Sequence, residues 1–154
     1  MPEQRSTSPN DGSTRPGLVK AVRLFVLVAM AVSSHLAWVS LRGGIVFGCG
    51  PDSACDRVLH SRWAYWFGVP VSLFALAAYA VILVSTFSLR PGVPVARQRQ
   101  AWNWLLTCAW AVGGAALWFV GLQFLSVHAV CPYCMVAHGA GLVTAVLQIG
   151  RAHV

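Results

Sequence analysis

Of the 154 residues, 57% are apolar and 10% charged, far below the roughly 25% charged residues of a soluble globular domain, which excludes that class. The length suits one compact unit. The net charge of +7 does not mark a nucleic-acid binder, because the basic residues flank apolar runs and form no stripe with interleaved aromatics.

Residues 1–17 are polar, rich in Ser, Thr, Pro and Gly, and lack any apolar period. They are expected to be a disordered tail. No small-residue cleavage site precedes or follows the first apolar run, which is too long for a signal core. That run, about residues 22–41, makes a helix of about 30 Å and spans a bilayer. Ser33, Ser34 and His35 interrupt it and are expected to face neighbouring helices.

A polar interval follows to Phe67, with Gly43, Gly44, Gly48, Gly50 and Pro51 around the pair Cys49 and Cys55. Asp52 or Ser53 is placed to cap a short helix from there. Trp63, Tyr65, Trp66 and Phe67 crowd the start of the second run, as an interfacial aromatic belt or as a lid over a flat apolar ligand. Further runs cover about 69–89, 102–126 and 132–149. Cys108 lies inside the third and is expected to be a packing thiol. The expected architecture is therefore an all-α membrane protein. It has a tail (1–17) and one four-helix domain (18–154), with a cysteine-containing loop between helices 1 and 2.

Charge sets the topology. Four basic residues precede or enter the first helix, three lie between the second and third, and one follows the fourth. The first connection balances three Arg against two Asp, and the third is uncharged. The positive-inside rule then puts both termini in the cytoplasm and both cysteine pairs on the outer, oxidising face.

Cys131-Pro132-Tyr133-Cys134 opens the fourth run. A proline at the first helical position places Cys131 at the cap, where amides and dipole favour thiolate. His138 follows one turn after Cys134 on the same face. A CxxC is also half of a four-ligand zinc site, and a loop pair is also a structural staple. Two pairs on one face favour a thiol relay, since exchange passes through mixed disulfides. No haem-type CxxCH and no dinucleotide glycine motif is present. A bilayer-dissolved acceptor such as a quinone is the natural electron sink.

The order Cys49, then Cys55-Asp56-Arg57-Val58-Leu59-His60-Ser61-Arg62-Trp63, then Phe67-Gly68, then Cys131-Pro132-Tyr133-Cys134 resembles the vitamin K epoxide reductase family over about residues 20–150. Disulfide-bond protein B also joins four spans, two cysteine pairs and quinone, but its CxxC lies in the first outer loop. The resemblance implies a four-helix bundle around a quinone, capped by the first outer loop. It implies that Cys49 meets an external thioredoxin-like partner, that Cys55 passes electrons to Cys131, and that Cys134 faces the quinone. No thioredoxin-like domain follows in the sequence, so that partner is expected to be a separate chain. By the same resemblance Ser61 supports the site, and Trp63 and Phe67 help close it. The co-substrate is vitamin K, menaquinone or ubiquinone, no metal is implied, and a bacterial inner membrane is favoured over the endoplasmic reticulum. Two positions depart from the family. Where it commonly has Asn near the start of the second helix stands Val71, which leaves one quinone carbonyl without its expected hydrogen bond or leaves Ser72 to supply it. Where animal members have tyrosine stands His138, either an imidazole that donates to a quinone oxygen and delivers a proton or a histidine satisfied between helices. The competing reading is a non-catalytic four-span protein whose loop is stapled by Cys49 and Cys55.

Overall fold

The computed structural model describes residues 16–90 and 92–152; residues 1–15 of the expected tail lie outside the described residues. Long apolar runs in a bilayer satisfy their backbone only as helices. Among the described residues four helices are long and apolar enough to cross a membrane. They are α1 (Pro16–Arg42), α3 (Val71–Ser88), α4 (Val95–Leu125) and α5 (Pro132–Ala152), with a short α2 (Ala54–Leu59) between the first two. Helix α1 packs on α3 and α5, and α4 packs on the same two, so the four form a square bundle.

Several boundaries differ from those read in the sequence. Helix α1 starts at Pro16, so Pro16 and Gly17, assigned to the tail, are helical. Helix α4 begins at Val95, seven residues before its apolar run, and its first turns carry Arg97 and Arg99. Hydropathy marks only the membrane-embedded part of a helix that continues beyond it. Gln98 closes the preceding turn, its side-chain amide donating to the carbonyls of Arg90 (3.3 Å) and Val93 (3.0 Å). Helix α3 starts at Val71 because the residues before it pair as a hairpin, β1 (Tyr65–Trp66) with β2 (Val69–Pro70). Phe67 and Gly68 make its turn with φ of 50° and 79°, the positive pair that a two-residue hairpin turn requires.

At the end of the bundle with the α3–α4 turn, Val22, Val26, Ala29, Ile82 and Leu105 form an aliphatic core. There Arg23 closes the end of α3. Its Nε donates to Thr86 Oγ1 (3.0 Å) and its Nη2 to the Thr86 carbonyl (3.1 Å), with the guanidinium over the Phe87 ring. A cation at a helix C-terminus complements the orphan carbonyls and the dipole. Nearer the middle, Tyr79 crosses the bundle diagonal and donates to the Ala137 carbonyl at 3.1 Å. Gly141 makes that crossing possible. A Cβ there would lie 2.5 Å from the Tyr79 hydroxyl and 2.9 Å from Val112 Cγ1.

Candidate redox site and cavity

At the opposite end, α1 stops at Gly43 (φ 65°), where the Gly44 N–H reaches back to the Val39 carbonyl at 3.1 Å. This is a Schellman closure, and its positive φ suits glycine. The loop then turns through Gly48 and Asp52, both at positive φ, to Ser53, whose Oγ accepts the Asp56 N–H (3.3 Å) and starts α2. Helix α2 is amphipathic in miniature, and its buried residues are Cys55 and Leu59. Cys55 is bonded to Cys49, the two Cα atoms lying 6.3 Å apart.

Cys131 caps α5 from below this loop, 0% exposed. The Cys134 N–H points at its sulfur, 3.4 Å away. The hydrogen-bonded Cys134 side chain, with the Cys134 and Tyr133 amides, holds the Cys131 thiol below its usual range against the opposing pull of burial. Cys131 and Cys134 are free thiols. The two pairs meet in one apolar cluster: Leu36, Val39, Val46, Cys55, Leu59 and Cys131 are its buried members, with Cys49, Tyr133 and Cys134 packed against it. Tyr133 ties the elements together, its hydroxyl donating to the Phe47 carbonyl at 2.8 Å. His35 lies against the Tyr133 ring, centroids 5.8 Å apart, and its Nε2 is buried without a hydrogen-bond partner.

Beneath the cluster the helices part around a cavity of about 360 Å³, within the usual range for small-molecule sites. Its wall is mostly aliphatic and aromatic, and its polar groups include Ser61, Ser72, Tyr79, Gln123, Cys134 and His138. Ser61 spends its hydroxyl proton on the Val58 carbonyl (2.8 Å), closing the end of α2. Trp63 also lines the cavity, fixed by Nε1 donating to Ser126 Oγ (3.1 Å) and by an edge contact with Trp118. His138 stacks on Phe119, the planes 6° apart. Ser72 Oγ is buried without a partner in the first turn of α3. A groove over Ala111, Gly114 and Ala115 shares Trp63, Trp66 and Phe119 with the cavity and opens on the α4 face.

Of the residues singled out in the sequence, Ser61, Trp63, Ser72, Cys134 and His138 thus converge on the cavity, while Cys49, Cys55 and Cys131 converge above it. Phe67 does not join them. It is fully exposed, because as a central residue of the two-residue turn it lies at the hairpin tip, beyond the paired Trp66 and Val69. Cys108 packs against the aliphatic core. Among the described residues no three His, Cys, Asp or Glu side chains are grouped to share a metal ion.

With that geometry in place, comparison with known families is direct: the vitamin K epoxide reductase family model matches residues 21–149. The chain belongs to the vitamin K epoxide reductase family. Four apolar helices make this member a multi-pass membrane protein. Family membership and the loop disulfide together suggest thiol–disulfide oxidoreductase chemistry. The family is quinone-linked in general and generally works with thioredoxin-like partners.

Within this family member, two residues of the site were not found by reading the sequence. Gln123 is 3% exposed, and its Oε1 accepts the Cys131 N–H at 2.7 Å. The available signal was a lone amide inside an apolar span, which marks function or helix contact. Tyr79 is the other, a cavity-lining hydroxyl inside the second span.

Proposed function

We propose that the protein carries electrons from a soluble thioredoxin-like dithiol to a membrane quinone. The observation that carries this reading is the gathering of both cysteine pairs in one buried cluster, with Cys134 also in the wall of an apolar cavity. The partner's thiolate attacks Cys49, and Cys55 leaves. The resulting mixed disulfide resolves as the partner departs oxidised, leaving Cys49 and Cys55 as thiols. Cys55 then attacks Cys131 of the oxidised inner pair, releasing Cys134, and Cys49 closes on Cys55, releasing Cys131. Two electrons have moved inward, and the arrangement left is a loop disulfide above two free thiols. Re-forming the Cys131–Cys134 disulfide delivers two electrons and two protons to the quinone.

The cavity suits such a ring. Its wall is apolar, Ser72 offers an unpartnered hydroxyl, and His138 offers an imidazole one turn beyond Cys134. The groove over Ala111, Gly114 and Ala115 leaves room for an apolar tail. Placing this end on the periplasmic or lumenal side, with both termini cytoplasmic, follows from the basic residues. Lys20, Arg23, Arg90, Arg97 and Arg99 belong to the opposite end, whereas both acids among the described residues, Asp52 and Asp56, lie in the loop.

The test is turnover of the purified protein with a reduced thioredoxin-like substrate. Ubiquinone, menaquinone and vitamin K epoxide are supplied separately, with Cys134→Ala as control. Cysteine-dependent turnover is expected, and the preferred acceptor gives the physiological direction. Folded protein inert with every acceptor would replace this reading with a structural staple at Cys49–Cys55.

A further inference from the structure

We propose that Gln123 is a positioning residue for the redox pair, completing from α4 the cap of α5 whose reactive member is the Cys131 sulfur. The inference rests on the reading of Cys131 and Cys134 as a redox couple. In a capping box the first residue's side chain accepts the N–H three positions on. The side chain at that third position reaches back to the first residue's N–H. Here Cys131 does the first half, its sulfur lying 3.4 Å from the Cys134 nitrogen. The third position is Cys134 itself, whose thiol belongs to the couple and is a poor acceptor. The return bond comes from another helix: Gln123 Oε1 accepts the Cys131 N–H at 2.7 Å.

The rest of Gln123 is committed to the same task. Its main-chain carbonyl accepts the Ala129 N–H at 3.0 Å, so one residue holds both ends of the segment from Ala129 to Cys131. Its Nε2 lies 3.9 Å from Met135 Sδ, on the first turn of α5. Without the Oε1 bond, the buried Cys131 N–H loses its partner and the cap residue is free to turn its sulfur off the Cys134 amide. That amide–sulfur contact is worth most to a thiolate and least to a disulfide sulfur. Gln123 therefore stabilises the reduced couple relative to the oxidised one.

The experiment is the equilibrium of the Cys131–Cys134 couple with a dithiol buffer, the full-length protein exchanging one disulfide for two thiols. It is read by mass after alkylation for wild type, Gln123→Met and Gln123→Glu, with thermal unfolding in parallel. Gln123→Met keeps the volume and removes the acceptor. It should shift the equilibrium toward disulfide by roughly tenfold, about what one buried hydrogen bond supplies and about 30 mV for a two-electron couple. Gln123→Glu should stay near wild type, because a carboxyl buried there remains protonated and still presents a carbonyl oxygen. Wild-type equilibrium in Gln123→Met with lowered thermal stability would overturn the proposal, as would equal shifts in both variants. An inner pair that does not exchange in the wild-type protein would overturn both this proposal and the reading beneath it.

Discussion

At one end of the bundle Val26, Ile82 and Leu105 are entirely buried. Arg23 locks α1 to the last turn of α3 through Thr86. At the other end the same four helices part around a cavity, and the connection between α1 and α3, with its short α2, supplies much of the roof. In the first region apolar side chains meet each other. In the second they meet sulfurs, a handful of polar side chains and space. Close packing is what holds helices together where lipid is as apolar as the core, so the first region carries the fold and leaves the second free to carry chemistry. Tyr79 and Gly141 mark the border, where the diagonal hydrogen bond closes the cavity floor.

The sharpest way to test that division is to remove a sulfur. Cys134→Ala is expected to abolish quinone turnover while leaving thermal unfolding of the solubilised protein little changed. A large loss of stability would show that the redox end also carries the fold. The reverse pattern is expected at the border. Gly141→Ala drives a methyl against the Tyr79 hydroxyl and Val112, and overpacking of this kind costs about 1–3 kcal/mol. Reversible unfolding in mixed micelles would measure it. Tyr79→Phe removes only the bond to Ala137 and should cost about 0.5–1.5 kcal/mol by the same measurement. His138→Phe keeps the stacking on Phe119 and removes the ring nitrogens. It should lower quinone turnover and leave exchange with the thiol partner intact; unchanged turnover would remove His138 from the site.

The region legible in the sequence was the one governed by composition. Four spans follow from apolar runs that nothing but a membrane helix can satisfy, and the two cysteine pairs are visible as spacings. What escaped was set by tertiary geometry. Val69 and Pro70 continue an apolar run and give no sign that they pair with Tyr65 and Trp66. Phe67 looks like every other aromatic in its stretch until the turn that contains it fixes its direction. Gln123 lies eight residues before Cys131, and only the course of the chain through His128, at φ 49°, brings its carboxamide to that backbone nitrogen. Ser72 and His138 could be singled out as candidate polar groups, but not the cavity that they share.

The smallest expected effect concerns protons. In the reduced protein the Cys134 side chain is the leading influence holding the Cys131 thiol below its usual range. A group whose folded pKa is depressed binds fewer protons in the folded state than in the unfolded one across the interval between the two values. Stability therefore rises with pH through that interval. The contribution is fully present above the ordinary thiol value of about 8.5 and is lost as pH falls through the depressed one. Thermal unfolding of the dithiol form, followed from acid pH up to the ordinary thiol value, should show this rise in the wild type. Cys134→Ala removes the leading cause and should move the pH midpoint of Cys131 alkylation, a readout that follows this thiol alone, up toward its usual range. Identical midpoints would mean that the Cys131 thiolate is held by the Tyr133 and Cys134 amides alone, and that the second sulfur serves the chemistry without preparing the first.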